Sequence, residues 1–197
     1  MPIDRQNLRR RLTALAATQS GYFTAGQALR IGYGYPNQKF HVDRGNWTRV
    51  DRGIFRLPEW PIGSHDDLVR WSLWALGKAV ISHETALAVD GIGEFESSRV
   101  HLTVPPKFSK SDPYVVTHRG TLDDADVEER EGFRVTTVLR SLIDVAAAYA
   151  DLDQLARAIA EAREAGVVTP RRLRERAEEV DLRAALRIEQ ALSKAAS

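Results

Sequence analysis

Asn37, Gln38, Lys39, His41 and Arg44 stand close together in the chain, and such side chains can read DNA. Asn and Gln pair bidentately with adenine, whereas Arg and Lys suit guanine. Arg9, Arg10 and Arg11 upstream, and Arg49, Arg52 and Arg56 downstream, suit phosphates or a minor groove, where they supply affinity rather than sequence discrimination. A second set of reactive types comprises His83-Glu84, His101, His118 and the run Asp123, Asp124, Asp126. Histidines and carboxylates that converge from strand ends can bind a metal. The short His-x3-His and His-Glu-x2-His spacings are absent, however, so such a site would have to assemble from distant segments. The plainer reading has Ser82 capping a helix, Glu84 favouring its dipole, His83 and His101 packing at domain edges, and residues 123–126 forming a solvated turn. No phosphate-cradling Gly-x4-Gly-Lys-Ser/Thr loop is present, nor a Gly-x-Ser-x-Gly elbow. The absence of cysteine removes thiolate chemistry and disulfides. The sequence therefore reads as a non-enzyme, with no catalytic residue, metal or cofactor.

The elements that would hold the first set follow from spacing and punctuation. Leu8, Leu12 and Leu15 recur at helical spacing over residues 4–18, with Arg5, Arg9 and Arg10 mostly off that stripe. Thr24 is a good N-cap for a short helix over 25–30, closed near Gly32. Pro36 suits the first turn of a third helix over 37–44, which Gly45 ends. Two β-prone runs, 47–50 and 54–57, flank Asp51-Arg52-Gly53 and predict a hairpin. Three helices followed by a hairpin are a winged helix-turn-helix, whose later helix enters the major groove. In the third helix Phe40 is expected in the core, and His41 is either packed or in contact with a base.

Pro58, Pro61, Gly63 and Ser64 predict a linker, dividing a DNA-binding domain at 1–60 from an effector domain at 65–197. The charge divides too: residues 1–60 carry ten Arg or Lys against four acids, so the net +1 of the chain conceals a basic first part and an acidic remainder. After the linker, 66–77 is apolar on nearly every side and predicts a deeply buried helix. A helix from Ser82 to Val89 follows, then strands at 100–104, 114–118 and 133–136, a helix from Thr137 to about Tyr149, and three tail helices broken at Gly166 and near Asp181. The fold class is α+β: a winged helix-turn-helix, then a mixed α/β domain with a helical tail. No apolar run is long enough to span a membrane and the first residues lack a secretory core, so a cytoplasmic protein is expected.

Three stretches in register resemble the AbiEi-type antitoxins of abortive-infection toxin–antitoxin systems. The first is Gly21-Tyr22-Phe23-Thr24-Ala25 with Gln27-Ala28-Leu29, continued by His41-Val42-Asp43-Arg44-Gly45-Asn46 and Arg49-Val50-Asp51-Arg52-Gly53-Ile54-Phe55-Arg56-Leu57. The second is Ser82-His83-Glu84-Thr85-Ala86-Leu87-Ala88 with Gly91 and Val100-His101-Leu102-Thr103-Val104-Pro105. The third is Val135-Thr136-Thr137-Val138-Leu139-Arg140-Ser141-Leu142-Ile143-Asp144-Val145-Ala146. The resemblance implies a type IV antitoxin that neutralises a nucleotidyltransferase-like toxin, without a stable complex being required, and represses its own operon at inverted repeats in promoter DNA. Two alternatives remain open on the residues: a winged-helix regulator whose second domain senses a ligand or dimerises, and an enzyme that covalently modifies a toxin.

Overall fold

The computed structural model describes residues 4–95, 97–148 and 151–195. It is a mixed α+β structure with two sheets, and it divides into two compact units: Met1–Lys78 with Glu129–Phe133, and Ala79–Glu128 with Arg134–Ser197.

In the first unit, α1 (Arg5–Ala17) begins at Asp4, whose carboxylate accepts from the N–H groups of Gln6 and Asn7. After β1 (Tyr22–Thr24), α2 (Ala25–Ile31) opens with a capping box in which Thr24 and Gln27 each satisfy the other's backbone N–H. Helix α3 (Tyr35–Asp43) has Pro36 in its first turn. Strands β2 (Thr48–Asp51) and β3 (Ile54–Arg56) turn through Arg52-Gly53, with Gly53 at φ +73°, a left-handed conformation that glycine adopts without strain. The sheet order is β1-β3-β2, antiparallel throughout, and aligns Phe23 with Phe55. Leu12, Ala16, Phe23, Ala28, Tyr33, Trp47, Phe55 and Leu57 form one core. Trp47 lies edge-on to Phe23 at 4.8 Å and to Tyr33 at 5.1 Å.

The expected linker is part of this unit. Arg56 donates to the carbonyl of Pro61 and to the carboxylate of Asp66, each at 2.8 Å. Trp60 packs so closely over Gly21 that a Cβ there would lie 2.4 Å from its Cγ. Helix α4 (Asp66–Trp74) buries Leu68, Val69, Trp71 and Leu73 and packs on β1 and β3. The units therefore divide after Lys78 rather than within 58–64. The prolines there turn the chain back on its own domain.

The second sheet has five strands, β4 (Val80–Ile81), β5 (Val100–Val104), β6 (Val115–Arg119), β7 (Val127–Arg130) and β8 (Phe133–Thr136), in the order β6-β5-β4-β8-β7; all of it belongs to the second unit except residues 129–133 at the β7–β8 turn. Strand β4 is antiparallel to β5 and parallel to β8, while β5 and β6 run parallel. Helix α5 (His83–Val89) follows β4, and α6 (Val138–Ala148) follows β8. Helices α7 (Leu152–Glu164), α8 (Pro170–Val180) and α9 (Leu182–Ala195) complete the unit. Their shared core includes Leu87, Leu142, Ile143, Leu155, Ile159, Leu173 and Ile188. The expected end of α6 at Tyr149 lies outside the described residues. No described helix is long and apolar enough to cross a membrane.

Candidate functional site

Two constellations carry chemistry, one in each unit. In the first, α3 presents Asn37 and Lys39 to solvent, its C-cap Arg44, strand β2 Arg49 and the β2–β3 turn Arg52, and Arg9 and Arg10 are exposed on α1. Lys39 pairs with Asp43 one turn on at 2.6 Å, an exposed contact worth little to stability. The guanidiniums of Arg44 and Arg49 lie over the rings of Phe40 and Phe55 at 5.3 and 5.8 Å. Arg11 is exposed but donates to the carbonyl of Ile31 at 3.2 Å, tying α1 to the end of α2.

Three expectations change here. Gln38 faces inward at 3 % exposure, and its amide donates to the carbonyls of Ala25 (3.1 Å) and Tyr33 (2.8 Å). It anchors α3 rather than reading bases. Arg56 is held by Asp66 and Pro61 with its side chain 13 % exposed, so it is committed to the fold of the unit. Phe40, expected in the core, is half exposed. His41 takes the packed alternative: it stacks on Trp47 at 4.7 Å, its Nδ1 lies 3.2 Å from the Asn46 amide, and burial lowers its pKa. Gln38→Ala is expected to take a donor from the carbonyls of Tyr33 and Ala25, the latter keeping its bond within α2, and to cost about 1 to 3 kcal/mol. Its urea midpoint should fall with an unchanged m-value, and its base preference, measured on folded protein, should match that of the parent.

In the second unit the structure brings together three histidines that lie far apart in the sequence. Ser82 donates its backbone N–H to the carbonyl of His101 at 3.0 Å, which sets the start of α5 against β5. Parallel pairing places Val116 opposite His101. His118, two residues further along β6, therefore shares a face with Val116. The potential ligand atoms of His83, His101 and His118 lie within 4.8 Å of one another. His83 and His118 stack with centroids 3.5 Å apart, and His118 Nε2 is 3.1 Å from His101 Nδ1. Glu84 Oε2 is 2.9 Å from that same Nδ1 but has no well-directed hydrogen bond. The Ser82 hydroxyl makes no cap contact to the helix and meets His83 Nδ1 at 2.9 Å instead.

Burial, reinforced by the neighbouring imidazoles, pushes the His83 pKa down to about 2. Burial and His101 push that of His118 down to about 4. Burial works to raise the Glu84 pKa, but the closeness of His101 outweighs it and the net shift is downward. Glu84 and His101 also line a cleft of about 560 Å³ with Glu94, Arg99, Gln154 and Arg157.

The acidic run is not a simple solvated turn. Asp126 is buried and accepts from Arg140 at 2.8 Å and from Arg176 at 2.7 Å, while Asp123 also meets Arg176, at 2.6 Å. Arg140 reaches on to Asp144 at 2.8 Å. This network ties the turn at 124–126 to α6 and α8.

No known protein family is matched by the sequence, and no curated protein is found similar to it. Among solved structures the fold is similar to that of the RV2827C protein from Mycobacterium tuberculosis, with a TM-score of 0.62 over 96 % of this chain and 77 % of that one. The two are 15 % identical, and the likeness is one of fold.

Proposed function

We propose that the chain is a DNA-binding repressor whose first unit acts as a winged helix-turn-helix, with α3 in the major groove and the β2–β3 turn as the wing. The observation that carries this reading is the way α3 is mounted. Gln38 fastens its inner side to two carbonyls, leaving Asn37, Lys39 and Arg44 outward beside Arg49 and Arg52. A helix fixed on one side and polar on the other is what groove reading requires. The excess of arginine and lysine over acids in residues 1–60 supplies attraction to a polyanion.

On the resemblance to AbiEi-type antitoxins, the DNA is the chain's own promoter and the second unit neutralises a nucleotidyltransferase-like toxin. The test uses the intact chain and the DNA upstream of its reading frame. The expected result is saturable binding there, with discrimination against scrambled DNA that falls by about 1 to 3 kcal/mol in Asn37→Ala while the salt dependence is retained. Equal affinity for both DNAs would overturn the repressor reading. Co-expression with a neighbouring toxin frame tests neutralisation separately. Specific DNA binding without growth rescue would favour a regulator that has no toxin partner.

A further inference from the structure

We propose that His83, His101 and His118 form a binding site for a divalent transition-metal ion of the zinc class, an inference independent of the DNA-binding reading. His101 Nδ1 has two close polar neighbours, Glu84 Oε2 at 2.9 Å and His118 Nε2 at 3.1 Å. That nitrogen carries either one proton or one lone pair, so it can make a good hydrogen bond with only one of them. The other contact is left unsatisfied, and Glu84 Oε2 is buried without a directed partner. A cation held by His101 Nδ1 and His118 Nε2 replaces that conflict with two metal–nitrogen bonds, and its charge offsets the nearby Glu84 carboxylate.

His101 and His118 are already spaced for such an ion, and His83, with ligand atoms of the three spread over as much as 4.8 Å, has to draw in by a side-chain shift to complete the set. Zinc–nitrogen bonds of about 2.0 to 2.1 Å in a tetrahedron place ligand nitrogens roughly 3.3 Å apart, close to the 3.1 Å between His101 and His118. His83 is 5 % exposed, and its Nδ1 is engaged by Ser82 at 2.9 Å, which directs the lone pair to Nε2 when that nitrogen donates to the hydroxyl. The His83 backbone also sits at φ +56°, a left-handed conformation that a residue with a Cβ adopts at a cost and that recurs at functional sites. Three imidazoles leave a fourth position for water or an anion. The cleft, which reaches Glu84 and His101, gives an ion a route from solvent.

The experiment takes the intact chain, stripped with chelator, and titrates it with cobalt(II), followed by visible absorption, and with zinc by competition. One ion per chain is expected, with affinity reduced about 100-fold or more in His101→Ala and in His118→Ala. His65→Ala, at an exposed residue of the first unit, should bind as the parent does. The thermal transition of each variant without metal reports whether it folds. Should a variant fail to fold, imidazole nitrogen resonances of the parent decide the matter: zinc is expected to shift those of His83, His101 and His118 and to leave those of His41 and His65 in place. No saturable binding of either ion, undiminished binding in both folded variants, or shifts confined to His41 and His65 would overturn the proposal.

Discussion

At pH 8, where Asp144 is ionised, Arg140→Ala is expected to lower the unfolding free energy by about 3 to 5 kcal/mol, read from urea denaturation of the intact chain. Arg140 bridges two buried carboxylates, Asp126 and Asp144, whose side chains are 4 % and 9 % exposed. Without it Asp126 keeps Arg176, but Asp144 loses its ion-pair partner, and its Oδ2 has no hydrogen bond even in the parent. The large effect comes from the stranded carboxylate. Arg140→Ala combined with Asp144→Asn should therefore recover most of the loss, while Arg176→Ala, which leaves Asp126 on Arg140, should cost distinctly less. A loss below about 1 kcal/mol in Arg140→Ala would mean that water reaches Asp144 and that the network is not dry.

The same pair fixes a pH dependence. Burial raises the Asp144 pKa from 3.8 to about 6 against the pull of Arg140. Between those values the folded protein holds a proton that the unfolded chain has released. Stability therefore falls as pH rises from about 4 to 6, by about 3 kcal/mol in all, because each pH step of one across that window costs about 1.36 kcal/mol. Asp126 has the opposite sign: burial raises its pKa, but Arg176 and Arg140 outweigh this and depress it, so its contribution is present above its unfolded pKa and lost as pH falls through the folded one. Asp144→Asn should remove the decline between pH 4 and 6 and leave the acid loss below it.

The helices were largely legible because their ends carry local chemistry. Thr24 caps α2, Pro36 opens α3, and the tail helices stop at Gly166 and Asp181, each within a residue or two of expectation. Strands β1 and β4 are three and two residues long, too short for alternation to register, and β7 reads Val-Glu-Glu-Arg with no β-prone run. Polarity misled at α3. Gln38 turned inward because two backbone carbonyls needed donors, and Phe40 turned outward under Arg44. Neither need is visible in the helix's own residues. For the histidines the candidates were legible but their convergence was not: His83, His101 and His118 meet through the pairing of β4, β5 and β6, and register between strands is not written in any one of them. The domain boundary failed on an ambiguity in proline, which marks a chain reversal as readily as a linker.

The two arginines at the hairpin and the one at its base should separate cleanly on DNA. Arg49 and Arg52 are exposed, whereas Arg56 is engaged by Asp66 and Pro61. Each phosphate neutralised releases close to one counterion, so the slope of log affinity against log salt is about 0.9 per contact. Arg49→Ala with Arg52→Ala should reduce the magnitude of that slope by about two and, at 0.1 M salt, weaken binding by roughly one and a half to two orders of magnitude. Arg56→Ala should leave the slope of the folded protein unchanged. Its effect should appear in stability instead, because it strands Asp66, whose side chain is 11 % exposed. A slope unaltered by the double substitution would place the hairpin away from the DNA and confine contact to α3 and α1. A further drop of about one in the slope with Arg56→Ala, at full folding, would show that the Arg56–Asp66 pair opens on binding and that DNA competes for a side chain the free protein uses to hold 58–64 in place.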